Sequence, residues 1–503
     1  MNCSARFRTE LPLSPQRDVC HHKAMNNSTS LKPTLLYEQV AERIADLIHR
    51  GTLRSGDRIP SVRQLRSDLG VSMSTVLEAY RLLESEGLVE ARPQSGYYVR
   101  SNALTLPPEP SISSPELVVM DVGIGTLLLE VLATARRPGV VPLGISETSP
   151  TLLPTHRLNQ VLSKVARHAD INTNSYDFPP GNEFLRRRIA KRSLNWGGSL
   201  NADDIVTTWG CMESINLCLR AVAKPGDTIA VESPVSYAFL QSFESLGMKV
   251  LEIPTHPRDG ISLEALEAAI QTHDIKAVLI IPTFSNPLGS CMPDENKRQL
   301  VEMLTQFQIP LIEDDALGEL YFGEHRPKPA KAFDTEGFVM LCSSFSKDLA
   351  PGYRVGWTAP GRFRTQVEYM KHLSTIANCT LPQVAIAEFL QSGSYDRHLR
   401  RLRKDLAIQV QQMFHAIGEF FPEGTKVTRP TGGMILWVEL PKSVDALKLY
   451  QQAIQHNISI VPGHLYSMTT QYRHCIRINC GYPWSSKIEQ ALAILGQLAK
   501  QQL

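Results

Sequence analysis

Residues 343–357 read SSFSKDLAPGYRVGW. The run GFVMLCSSF (337–345) brings the chain to Lys347 out of an apolar, strand-like segment, among hydroxyls and with Arg354 seven residues on. A lysine reacts as a free amine only when partly desolvated, and a nearby arginine and serine suit a phosphate group. On its own such a lysine is ordinarily a solvated charge. The reading therefore rests on what the neighbouring segments supply.

Three segments offer what the same chemistry needs. IEDD (312–315) ends a strand pattern and puts Asp314 at the C-terminal edge of a sheet. A carboxylate there can hold a pyridine nitrogen protonated, although a bare aspartate is more often a helix cap or a solvated acid. PTFSNPLG (282–289) offers Asn286, whose amide can hydrogen-bond a ring phenolate; the plain alternative is an Asn-Pro turn. TTWGCMES (207–214) passes from strand to helix at Gly210, so the amides of Cys211 and Met212 stand at a helix N-terminus, a natural phosphate site. Tyr237, in ESPVSY, can stack on a ring, but alone it reads as core.

The surrounding chain alternates strand-like runs with helical segments: DIVTTW, TIAVESP, KVLEIP, KAVLIIP, IPLIEDD, GFVMLCSSF and VGWTAP. That alternation predicts a large α/β domain with a mainly parallel sheet over 117–503. After about residue 380 come long helical patterns, then GGMILWVEL, ISIVPG and CIRINC, which predict a smaller C-terminal α+β subdomain.

Taken in order, the motifs are Gly-x-x-x-Leu-Arg (181–186), the Gly210 turn, Pro-x-x-Tyr (234–237), Asn-Pro-x-Gly (286–289), Asp314, Ser-x-x-Lys (344–347), Arg354 and Arg477. This set resembles the fold-type I pyridoxal-phosphate enzymes, the aspartate aminotransferase superfamily, over nearly all of 142–503. The resemblance implies that Lys347 forms the internal aldimine, Asp314 pairs with the ring nitrogen, Asn286 meets the ring oxygen and Tyr237 stacks. It implies that Ser344 and Arg354 hold the phosphate beside Gly210, Cys211 and Met212, and that Tyr176 is lent by a neighbouring subunit. Arg477 matches the arginine that grips a substrate carboxylate bidentately. Two departures stand out: Ala316 and Leu317 occupy a turn where relatives often place a tyrosine, and Met212 and Glu213 replace an amide-bearing pair.

The N-terminal part follows a different pattern. Tyr37, Val40, Ala41, Ile44, Leu47 and Ile48 recur at helical spacing. Gly51 and Leu53–Ile59 break that helix; Pro60 opens a second, with Val62, Leu65 and Leu69 inward, ending at Gly70. Ser72 caps a third, whose apolar face is Val76, Ala79, Tyr80 and Leu83, and LVEARPQSGYYV (88–99) reads as a hairpin. Three helices and a hairpin predict a winged helix-turn-helix, the alternative being a helical cap on the larger domain. In the DNA-binding reading, Ser72, Met73, Ser74 and Thr75 open the major-groove helix, Arg63 reaches a phosphate and Gly96 lets the wing tip approach closely.

Pro-Ser-x-Arg (60–63), Leu-Gly-Val-Ser (69–72), Thr-Val-x-x-Ala-Tyr (75–80), Leu-x-x-x-Gly (83–87) and Gly-x-Tyr-Val (96–99) closely resemble the GntR family of bacterial regulators. In that family's contact pattern Arg63, Ser74, Thr75, Ser95 and Gly96 fall on DNA-contacting positions, while Met73 stands where many members carry arginine. Residues 33–100 hold nine arginines and nine acids, a net charge of zero. A neutral reader binds DNA weakly, because phosphate neutralisation supplies much of the affinity, so two copies on two half-sites are expected.

The whole chain agrees with this division. Its 503 residues, 43% hydrophobic and 20% charged with a formal charge of +2, exclude a mostly disordered, collagen-like or coiled-coil protein and announce no general affinity for nucleic acid. Nine scattered cysteines without a C-x-x-C pair, and no apolar run near membrane length, read as a soluble cytoplasmic protein with reduced thiols. Residues 1–31 are expected to be a disordered tail, with translation starting at Met25 as an alternative to Met1, and Ser101–Glu116 to be an extended linker. A winged helix fused to an aminotransferase-like domain is the arrangement of the MocR subfamily of regulators. That resemblance implies a head-to-tail homodimer that binds operator DNA and senses pyridoxal 5'-phosphate or an amino compound through Lys347. A working aminotransferase with an attached DNA-binding domain is the competing reading, and a decayed site serving only as a dimer scaffold is a third.

Overall fold

The computed structural model describes residues 36–49, 52–53, 56–85, 87–92, 95–99, 106–123, 125, 127–169 and 171–503. The 1–31 tail, the Met25 start, Pro93 and Gln94 of the wing turn, and linker residues 101–105 lie outside the described residues. The chain divides after Asn102 into two compact units.

In the first unit, helix Leu36–His49 lays Val40, Ala41 and Ile44 against Val76, Ala79, Tyr80 and Leu83 of helix Met73–Ser85, all buried. Ile48, not Leu47, continues that stripe: four residues after Ile44 it stays on the same helix face, whereas Leu47 is 37% exposed. Helix Val62–Leu69 is capped by Ser61, whose Oγ accepts from Gln64 N at 3.2 Å, and closed by Gly70 at φ 63°. Pro60 therefore precedes the helix instead of opening it, and its carbonyl accepts from Tyr80 Oη at 2.5 Å. Strands Val89–Arg92 and Gly96–Val99 form the antiparallel wing, with Val89 opposite Val99. The segment read only as a helix breaker adds a third line of pairing: Ile59 N donates to Tyr97 O and Val99 N to Asp57 O.

The second unit is built on a nine-stranded sheet. Its central strands, Lys249–His256, Thr228–Ser233, Ile275–Ile280, Leu311–Asp314 and Val339–Ser344, lie side by side and parallel. Gly356–Ala359, Val206–Thr208 and Met120–Asp121 add antiparallel strands at the two sides. The apolar runs follow from burial of both faces. Ile229, Val231, Leu279 and Ile312 pack into one core, and Ala230, Val278, Ile280 and Leu311 into another. Among the described residues no helix is long and apolar enough to cross a membrane.

Two boundaries differ from the sequence reading. From Leu106 the supposed linker is fastened to this unit: Pro108 O accepts from Val427 N, Ser113 Oγ accepts from Thr255 N, and Glu109 pairs with Arg258. A Pro-rich stretch lacks donors but keeps its carbonyls, which a neighbouring strand can use. The smaller subdomain is also discontinuous. Its four-stranded sheet (Lys426–Val427, Ile435–Glu439, Cys475–Asn479, Val461–Pro462) shares a core with Leu128 and Val131 of helix Leu127–Ala135, and Val141–Pro142 pairs in parallel with Ile458–Ser459. Helix Thr380–Gln391, which the sequence placed in the smaller part, packs instead against helices Thr155–Arg167 and Glu183–Ser193 of the large one.

Candidate functional site

Strands Leu311–Asp314 and Val339–Ser344 end side by side, and beyond their carboxyl ends lies a cavity of about 270 Å³. Cys211, Met212, Tyr237, Asn286, Asp314, Ser344, Lys347 and Arg354, far apart in sequence, all line it. Ala316 and Leu317 line it as well, so no tyrosine follows Asp314 on this wall.

Lys347 Nζ donates to the carbonyl of Ser146, and Thr148 Oγ1 donates to the lysine's own carbonyl at 2.5 Å. Burial and then the charge of Arg477 push the amine below its ordinary range, with Asp314 and Glu147 opposing. Asp314 Oδ1 accepts from Ala316 N at 2.9 Å and from Cys211 Sγ at 3.3 Å. Burial still raises the Asp314 carboxyl, and burial followed by the Asp314 charge drives the Cys211 thiol well up. Ser146 and Thr148 escaped the sequence reading because a backbone carbonyl and an isolated hydroxyl leave no motif.

At the other end of the cavity Gly210, at φ 88°, precedes helix Cys211–Val222, and no side chain caps that N-terminus. A Cβ on Gly210 would come within 2.4 Å of Arg354 Nη2, and one on Gly356 within 2.5 Å of Gly210 C, so only glycine lets these backbones and the guanidinium approach. Arg354 donates to Ser346 Oγ at 3.2 Å and Trp209 O at 3.1 Å, which aims it at the helix end. Glu213, one of the departures, is a clamp: its carboxylate takes Trp209 N at 2.6 Å, Thr375 Oγ1 at 2.8 Å and the buried Lys371 Nζ at 2.8 Å. Burial lowers the Lys371 amine against the pull of Glu213. Lys371 and Thr375 sit on a helix with no local signal, so sequence reasoning missed them.

Arg477 is fully buried. Its Nη1 donates to Asn286 Oδ1 at 3.2 Å, its Nη2 donates to Gly144 O, and its Nε is a buried donor without a partner. The guanidinium lies behind the lining residues, 5.6 Å from the Tyr237 ring and 5.8 Å from that of the buried Tyr466, which the sequence reading did not name. Tyr176 is not brought to the cavity of its own chain; it is 71% exposed, its ring 5.5 Å from that of Phe178.

In the first unit Ser72 Oγ accepts from Thr75 N at 3.1 Å and lies 2.7 Å from both Ser74 Oγ and Thr75 Oγ1. These hydroxyls are one exposed cluster that also caps the helix, with Met73 beside it, 41% exposed. Arg63 is exposed on the preceding helix. At the wing, Ser95 Oγ lies 2.6 Å from Tyr98 Oη, and Gly96, at φ 106°, sits where a Cβ would meet Arg58 Nε at 3.4 Å. Arg58 lies beside Gly96, and the sequence reading did not single it out.

Comparison with known proteins matches both units. Residues 36–99 match the model "Bacterial regulatory proteins, gntR family", and residues 140–495 match "Aminotransferase class I and II". The uncharacterized HTH-type transcriptional regulator YdcR of Escherichia coli (strain K12) is 40% identical over 93% of this chain and 99% of that protein. A second such regulator from the same organism, YjiR, is 39% identical over 92% of this chain and 98% of its own length. The crystal structure of Pyrococcus horikoshii kynurenine aminotransferase, solved with PMP, superposes at a TM-score of 0.70 and 29% identity, covering 75% of this chain and 95% of that one. The chain thus belongs to the HTH-type transcriptional regulators that join a GntR DNA-binding domain to an aminotransferase class I and II domain, the MocR architecture.

Proposed function

We propose that the protein is a homodimeric transcriptional regulator whose aminotransferase-like domain binds pyridoxal phosphate and reports the cofactor, or an amino compound reacting with it, to the DNA-reading domain. The observation that carries this reading is the union, in one chain, of a winged helix with a cavity where Lys347, Asp314, Asn286 and Arg354 converge on the Gly210 helix end.

The residues present fit the cofactor. The helix N-terminus without a side-chain cap, the glycine cradle and Arg354 suit a phosphate dianion. Bound pyridoxal phosphate supplies an aldehyde that condenses with amines and a ring that withdraws electrons. Within this site the lowered Lys347 amine is the nucleophile, Asp314 offers a carboxylate to a protonated ring nitrogen, Asn286 donates from its amide, and Tyr237 covers a ring face. Arg477, with a buried unpartnered Nε, points to an effector that carries a carboxylate. Tyr176, exposed and away from its own cavity, is suited to serve the site of a second subunit, which supports a head-to-tail dimer. An amine that occupies the site shifts the regulator only by its differential affinity for two arrangements of the dimer.

The same Arg477 geometry favours a second reading, residual aminotransferase activity beside regulation. Fluorescence anisotropy on DNA from upstream of the protein's own gene, at fixed salt, tests the main proposal. Binding whose midpoint or stoichiometry changes with pyridoxal phosphate, and not in Lys347→Ala, is the expected result. Binding indifferent to both the cofactor and amino acids counts against sensing. Spectral cycling of the cofactor driven by a keto acid establishes the enzyme reading.

A further inference from the structure

The solvent face of helix Ser394–Phe420 carries Arg397, Arg400, Arg401 and Lys404, all exposed, while Leu399, Leu402 and Leu406 are buried on the other side. Their spacing of three, four and seven residues from Arg397 puts all four cations on one stripe, about 10 Å long at 1.5 Å per residue. Among the described residues Arg397, Arg400 and Lys404 make no ion pair, and Arg401 lies 3.6 Å from Asp405. The adjoining cavity, about 730 Å³, is lined by three acids, Glu319, Glu324 and Asp396, and by Arg400 and Lys404 together with Arg192, Arg326 and Arg403. The last three all reach Glu319, at 3.0–3.3 Å, and Arg192 also holds Asp396 at 2.7 Å, so these two carboxylates are already paired with cations outside the stripe.

Residues 33–100, which hold the winged helix, by contrast carry no excess charge, and their Arg81 and Arg92 are paired with Glu78 and Glu90. Affinity for duplex DNA comes largely from cations that neutralise phosphates. We propose that the stripe Arg397–Arg400–Arg401–Lys404 is a second DNA-contacting surface. It takes backbone phosphates of duplex flanking the operator and adds affinity without sequence preference, while the winged helix reads bases. The proposal rests on operator binding by the GntR domain, and its test separates the two.

The test uses the full-length protein with cofactor, carrying R397Q, R400Q, R401Q and K404Q together, titrated over a salt series on an operator duplex, a longer duplex with extended flanks, and a scrambled one. The slope of log K against log salt should fall by about 0.9 per lost phosphate contact, hence by about 3 to 4 per subunit. The affinity gained from longer flanks should vanish, the operator-to-scrambled ratio should stay, and lysine at the three arginine positions should restore the slope. An unchanged slope and flank effect, with cofactor absorbance and melting temperature intact, overturns the proposal; that result is also the one expected if the stripe binds an acidic protein. A weaker affinity with an unchanged slope overturns it too. Wild-type protein that binds operator and scrambled duplex alike overturns the operator reading, while the salt slope still judges the stripe.

Discussion

Cys211 Sγ donates to Asp314 Oδ1 at 3.3 Å, tying the first residue of the phosphate-end helix to the carboxylate at the strand end. The two ends of the cavity are therefore mechanically joined. Asp314→Asn keeps an acceptor for Ala316 N but removes the charge meant for a ring nitrogen. Cofactor retained through dialysis, read by visible absorbance, should drop at least about tenfold in affinity, or about 1.4 kcal/mol. Retention equal to wild type sinks the assigned role.

Gly210→Ala forces a side chain into φ 88° and against Arg354. Strain of this kind costs on the order of 1 to 3 kcal/mol. Calorimetry should show a lower melting temperature, and phosphate or cofactor should protect the variant less than the parent. A variant as stable and as well protected as wild type contradicts the cradle.

Lys371→Met leaves the half-buried Glu213 without its cation. Breaking one side of a fully buried pair costs roughly 3 to 5 kcal/mol and less here, where Glu213 keeps Trp209 N and Thr375 Oγ1 as donors, whereas replacing both partners often costs little. The double variant K371M with E213Q should therefore recover part of the stability lost in K371M. Additive losses in that cycle argue that the two residues act independently.

Asp348 is buried, its Oδ2 accepts from Tyr395 Oη at 2.6 Å, and burial pushes its carboxyl up to about 7. The folded state thus holds a proton that the unfolded chain releases near pH 4, so this group's stabilising share is full below about pH 4 and declines as pH rises towards 7. The decline is at most about 1.4 kcal/mol per pH unit. Asp348→Asn should flatten the fall of the urea midpoint between pH 5 and 7 by one proton's worth. An identical pH slope in the variant rejects the raised carboxyl.

Arg63→Ala should weaken binding to operator and scrambled duplex by similar factors and reduce the salt slope by about 1 per subunit, as loss of a phosphate contact does. Loss of discrimination with an unchanged slope instead assigns Arg63 to a base edge.

The parts of the fold legible in sequence were those with local chemistry. Continuous apolar runs marked the buried strands and a 3.6-residue period the three N-terminal helices, and glycine, serine and proline marked their ends. Asp314, Lys347 and the Gly210 turn were legible because each ends or closely follows an apolar run, and Asn286 and Arg354 because they sit in short motifs beside such runs. What stayed hidden depends on contacts across the chain. Ser146 acts through its carbonyl, Lys371 through a carboxylate 158 residues away, and Arg58 through the wing it lies beside. The linker was misread for a related reason: composition shows that 106–116 cannot form a helix, but not that a strand edge will accept it.

The pairing of Val141–Pro142 with Ile458–Ser459 has a consequence for synthesis. Helix Leu127–Ala135 is apolar on most of its surface, and its cover comes from residues near the C-terminus. During translation at about 5–20 residues per second, that helix waits roughly 15–65 s for the strand at 458 to be made. The nascent regulator can finish its DNA-reading unit first, while its second unit stays open and sticky until almost the whole chain has left the ribosome.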